Sequence, residues 1–160
     1  MYDKVNWFLE DGDDSVIFIS GHNRHIGKTF VSGYTCLGEL FTKGIGENYF
    51  AIGTDAENTT FNSQDNNGNF SIMEVKNQNP LNSQLDNMES NFYYIDFFKV
   101  ADNENWQGIL KEQQKITTLN VGISGWQKFL KSFYTTTIVP NDTFNGMIVF
   151  KKTLSTTLIK

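Results

Sequence analysis

Cysteine, proline and histidine are scarce in this 160-residue chain, which has one, two and two of them respectively. A lone cysteine, Cys36, excludes an internal disulfide. A free thiol with no disulfide framework fits the reducing cytoplasm. Its place in an apolar helical pattern reads as a small buried side chain. Two prolines leave helices and strands few forced breaks. No apolar run approaches the roughly 20 residues that a membrane span requires. Met1-Tyr2-Asp3-Lys4 begins neither a basic n-region nor an apolar h-region, so no signal peptide is expected. Lysine and arginine form no basic stripe and the formal net charge is −5. That argues against nucleic acid and against an anionic membrane surface as partners.

Aromatic residues are plentiful, with 14 Phe, 6 Tyr and 3 Trp, and each needs apolar surroundings. With 39% hydrophobic and 19% charged residues, the composition is that of one globular domain over residues 1–160. The spacing predicts a short helix over 2–10, broken by Gly12-Asp13-Asp14. Val16-Ile17-Phe18-Ile19 is a continuous apolar run, the pattern of a strand buried on both faces. A helix is predicted over 28–42 and further buried strands over 49–53, 92–96 and 146–150. Residues 59–61 and 69–75 read as arms of a hairpin around Asp65-Asn66-Asn67-Gly68. Short helices are predicted over 81–88 and 104–114, a strand over 115–119, and a helical spacing over 125–134. Buried strands separated by helices predict a layered α/β fold, with a largely parallel sheet flanked by helices and a small β-hairpin. Ligands of open α/β sheets bind at the carboxyl ends of strands, which places the 20–28 loop at the functional edge.

That loop holds both histidines, His22 and His25, three residues apart. Imidazole, with an unperturbed pKa of about 6.5, both accepts and donates protons near neutrality. One ring could move a proton while the other orients a substrate or stabilises developing charge. Asn23 could donate to an oxyanion or hold a tautomer, and Lys28 offers a fixed positive charge; both are assigned to substrate binding. Two rival readings use the same residues. The histidines could ligate zinc, with Asp55, Glu57 or Asp96 completing the set, but stable sites usually need three or four ligands. No HExxH or CxxC is present, and no metal or other cofactor is expected. Alternatively, Gly21–Thr29 could be a P-loop lengthened by one residue, with Tyr93-Tyr94-Ile95-Asp96 as the acidic strand of a small nucleotide-binding module.

Four ordered blocks resemble the erythromycin esterase family. They are Tyr2–Leu9, Val16–Lys28 with its H-N-x-H-x-x-K pattern, Gly38-Glu39-Leu40 followed by Tyr49–Thr54, and Asp142–Phe150. The resemblance spans nearly the whole chain and departs at Arg24, Leu37 and Asn145. It implies metal-independent hydrolysis of a small-molecule ester such as a macrolide lactone, hence a role in antibiotic resistance, and places His22 and His25 in the active site. It also implies that the principal general-base histidine and its glutamate belong to an N-terminal portion that these blocks do not include. The chain is therefore expected to form one wall of the cleft, to be inactive alone, and to associate with itself or with that missing portion.

Overall fold

Strand β1 (Ile52–Gln64) is thirteen residues long and organises the chain. The computed structural model describes residues 1–11, 16–29, 35–65, 67–119, 123 and 125–157. Among them, five further strands are β2 (Phe70–Lys76), β3 (Phe92–Asp96), β4 (Gln114–Thr117), β5 (Thr135–Ile138) and β6 (Gly146–Thr153). The helices are α1 (Tyr2–Asp11), α2 (Asn23–Ile26), α3 (Leu37–Ile45), α4 (Glu104–Lys111) and α5 (Pro140–Thr143). Four strands form one sheet in the order β2-β1-β6-β3, and β4 pairs with β5 separately.

The α/β class and the hairpin stand, but the sheet is mixed rather than largely parallel. β1 pairs parallel to β6, from Ile52↔Gly146 to Thr59↔Thr153. β2 is antiparallel to β1 and β3 antiparallel to β6. The hairpin closes where expected. Gly68 adopts φ 85°, open to glycine without a Cβ penalty. Asp65 Oδ1 accepts the Asn67 and Asn69 N–H groups at 2.8 and 2.9 Å, and the bonds from Asn69 hold its carboxyl below the usual range.

The predicted strand over 16–19 is not formed. Residues 16–20 carry no regular structure, and Val16 and Phe18 are 97% and 86% exposed. An apolar run becomes a buried strand only with a neighbour on each side, and among the described residues none lies there. Of the helix expected over 28–42, the structure describes α3 from Leu37, while Lys28 and Thr29 are not helical and are bonded to Thr143 and Asp142. Residues 12–15, 30–34 and 66, which include the Gly12-Asp13-Asp14 break, part of that helix and the tip of the hairpin, lie outside the described residues. The helical spacing over 125–134 resolves into two 3-10 turns, Gln127–Phe129 and Lys131–Phe133. Residues 82–87 likewise form a 3-10 helix.

The core lies against β6, whose Met147 and Val149 are fully buried. Ile95, Phe97, Phe144, Leu81 and Leu85 close around them. Each such fully buried aliphatic or aromatic side chain contributes roughly 1.5–3 kcal/mol. Next to this apolar centre sits a polar one. Asp55, 3% exposed, accepts Asn79 Nδ2 at 2.7 Å, Asn82 Nδ2 at 3.3 Å and the Thr117 N–H at 2.8 Å. These bonds tie β1 to the 77–82 segment and to β4. Burial pushes the Asp55 carboxyl up, outweighing the hydrogen bonds from Thr117 and Asn79 that pull it down.

Replacing Asp55 with Ala should cost about 2–4 kcal/mol in urea unfolding, because it removes the acceptor of two buried donors and one part-buried donor. The folded carboxyl titrates above the unfolded one near 3.9, so its contribution is largest below about pH 4 and falls as pH rises through the folded value. The wild-type advantage over Asp55→Ala should shrink accordingly, and an advantage that grows with pH would contradict this assignment.

Candidate functional site

The H-N-x-H segment forms α2, a single helical turn. The His22 carbonyl accepts the His25 N–H at 2.8 Å and the Ile26 N–H at 3.2 Å. Residues three apart on a helix share a face. The two imidazoles accordingly lie side by side, with ring centroids 6.0 Å apart and planes at 55°. Both side chains are exposed. Across that separation a single water or ester oxygen can reach both rings.

Asn23 is one residue on, about 100° around the helix, and faces β1 instead. Its Nδ2 donates to the Thr54 carbonyl at 2.6 Å and its Oδ1 accepts the Thr54 N–H at 2.9 Å. The side-chain amide thus pairs with Thr54 as a neighbouring strand would. Residues 52–57 of β1 have β6 on one side, whereas β2 begins its pairing only at Asn58. Asn23, expected to bind substrate, bonds through both ends of its amide to the Thr54 backbone.

Four more contacts clamp the turn. Tyr49 Oη donates to the Ile26 carbonyl at 2.5 Å and Cys36 Sγ to the Gly27 carbonyl at 3.2 Å. Burial, with the Cys36 thiol adding to it, pushes the Tyr49 phenol up to about 12, so it remains a donor at neutral pH. The Lys28 N–H donates to the Thr143 carbonyl at 2.8 Å and Thr29 Oγ1 to the Asp142 carbonyl at 3.2 Å. Gly38 lets α3 approach this closely, since a Cβ there would meet the Gly27 and Ile26 carbonyl oxygens at 2.3 Å. The clamp was not legible in the sequence beyond the apolar setting of Cys36, because its partners are mostly backbone carbonyls.

The turn docks at Thr54 and Thr143, beside the amino ends of the parallel pair β1 and β6. The expected position at the carboxyl ends of strands does not hold for this parallel pair, whereas antiparallel β3 ends at this edge with Asp96 opposite Gly146, and β2 also runs toward it. Lys28 lies apart from the imidazoles in the lining of a cleft of about 140 Å³, which it shares with Phe97, Phe98, Asn141, Phe144 and Asn145, and neither histidine lines it.

The P-loop reading fails on geometry. Among the described residues, 16–20 ahead of the loop form no strand. The N–H groups of residues 25–28 are all bonded within the protein rather than turned toward a phosphate. Asp96 belongs to an edge strand, and its Oδ1 accepts the Phe98 N–H at 3.0 Å. The carboxylates weighed as metal partners are likewise engaged elsewhere: Asp55 in its amide network and Glu57 with Lys76 at 3.1 Å. Among the described residues no three His, Cys, Asp or Glu side chains gather as metal ligands. None of the described helices is long and apolar enough to cross a membrane. Trp7 and Trp126 are exposed and Trp106 packs on the core.

A family profile described as erythromycin esterase matches residues 1–153. No curated protein matches the sequence. A crystal structure described as a succinoglycan biosynthesis protein is 16% identical, with a TM-score of 0.66 over 84% of this chain and 32% of that one. A Bacillus cereus protein of known structure is 21% identical, with a TM-score of 0.68 over 96% of this chain and 37% of that one. The chain spans about a third of the length of each. At these identities the likeness is one of fold.

If the Asn23 amide holds the turn to β1, Asn23→Ala should speed hydrogen exchange of the Thr54 N–H by about tenfold, the scale of one lost hydrogen bond. Unchanged exchange would assign the anchoring to the other contacts.

Proposed function

The chain belongs to the erythromycin esterase family, and on that premise we propose that it supplies one wall of a hydrolase cleft in which His22 and His25 act on water or on the ester carbonyl. The observation that carries this reading is the pair of exposed imidazoles on one face of a turn held by the Asn23 amide on Thr54 and by the Lys28 N–H on the Thr143 carbonyl. Catalytic groups work when held close to the productive geometry. A loop anchored by Asn23, Tyr49, Cys36 and Lys28 provides that rigidity without committing either histidine ring.

In this reading one imidazole orients the attacking water or relays a proton within the site, and the other steadies charge developing on the carbonyl oxygen. The substrate class is a small-molecule ester, a macrolide lactone among them, met in the cytoplasm. The remaining groups of the site, a general-base histidine and a glutamate, would come from polypeptide beyond the matched third of the longer relatives. Val16 and Phe18 support an open wall: both are exposed, and residues 16–20 make no backbone hydrogen bond to another described residue. Apolar surface of this kind favours a covering polypeptide, either that portion or a second copy.

The isolated chain should turn over esters at or near the uncatalysed rate. A chimera in which it replaces the matching third of a full-length relative should hydrolyse p-nitrophenyl esters or a macrolide, followed by absorbance or mass spectrometry. His22→Ala or His25→Ala should then lower kcat/KM by about 10²-fold or more, the scale of a lost acid–base group. A folded chimera that is inert, or whose rate ignores both substitutions, overturns the proposal.

A further inference from the structure

The cleft lined by Lys28 contains a cation with no bonded counterpart. No hydrogen bond or ion pair among the described residues engages Lys28 Nζ. The side chain is half-buried. Desolvation lowers its pKa, opposed by the negative charge of nearby Asp142. A second donor is available beside it. Asn145 Oδ1 accepts the Ala51 N–H at 2.9 Å, which orients the amide and leaves Nδ2 to donate. The rest of the lining is mostly phenyl: Phe97 and Phe144 are buried and Phe98 is 71% exposed at the mouth.

We propose that this cleft binds a small monocarboxylate, its oxygens shared between Lys28 Nζ and the Asn145 amide and its short carbon tail set among Phe97, Phe98 and Phe144. Size selects the ligand first. A cleft of about 140 Å³ is well below the roughly 300–1,000 Å³ of a drug-sized pocket, which restricts the occupant to a small molecule such as acetate or propionate. Charge selects it second. One ammonium, partly offset by Asp142, suits a monoanion and leaves a phosphate dianion undercompensated. The phenyl walls favour an alkyl tail over further anionic oxygens. This proposal does not rest on the hydrolase reading, because neither His22 nor His25 lines the cleft.

The test is an NMR titration of the full chain with sodium acetate and sodium propionate, against sodium chloride at matched ionic strength and against phosphate. Saturable shifts are expected at Phe97, Asn141 and the Asn145 side-chain amide, with a Kd on the order of 1–10 mM for so small a ligand. Lys28→Met should abolish them. Asn145→Asp should also abolish them, since it keeps the acceptor for the Ala51 N–H while setting a carboxylate against Lys28. Lys28→Arg should retain binding. If Lys28→Met does not fold, the Asn145→Asp and Lys28→Arg proteins decide the matter. Absence of saturable shifts in the wild type, or their persistence in Asn145→Asp, overturns the site. Phosphate binding as tightly as propionate overturns the monocarboxylate class.

Discussion

The first half of β1 has a strand neighbour on one side only, and much of the architecture follows from how its other edge is satisfied. A backbone edge left bare and buried is costly, so side chains and loops take the place of the missing strand. The Asn23 amide pairs with both main-chain groups of Thr54. Thr117 Oγ1 donates to the Ala56 carbonyl at 2.9 Å, and the Asn77 N–H to the Glu57 carbonyl at 2.8 Å. Successive side chains of a strand point to opposite faces. Thr54 is exposed beside the histidine turn, while Asp55 is buried in the asparagine network. One strand thus fixes the candidate site and the polar core in adjacent residues.

The histidine turn shows how exposed side chains can be placed by buried backbone. Its carbonyls at Ile26 and Gly27 accept Tyr49 and Cys36, and the N–H of Lys28 reaches Thr143. Aromatic packing supports those anchors, since Phe41 lies 5.3 Å from both Tyr2 and Tyr49 between ring centroids. α1 is thereby joined through α3 to the turn. Both imidazoles remain exposed while the N–H groups of residues 25–28 are bonded within the protein. Lys28, three residues past His25, leaves the turn in another direction and faces phenyl rings and amides, so one short segment serves two separate surfaces.

The hairpin, β3 and β6 were legible because their signals are local. Asn and Gly at the hairpin tip, the run Phe92–Asp96, and the alternation through Met147 and Val149 each report a property of a few neighbouring residues. β5 escaped notice because Thr135-Thr136-Thr137 carries little apolar contrast; it is a strand by virtue of pairing with β4. The run at 16–19 misled for the converse reason. Its composition is that of a buried strand, but strand formation needs a hydrogen-bonding neighbour, and composition cannot supply one.

What the sequence determined by itself was the α/β class, the family, and the adjacency of two imidazoles, because residue type and three-residue spacing are written in the chain. Only the tertiary structure decided that the sheet is mixed, that the Asn23 amide pairs with Thr54, and that Lys28 lines a cleft without the histidines. Those outcomes turn on which strand edges meet and which carbonyls are left to be satisfied. Contacts between residues 31 to 115 positions apart settle them, and no local pattern encodes such distances.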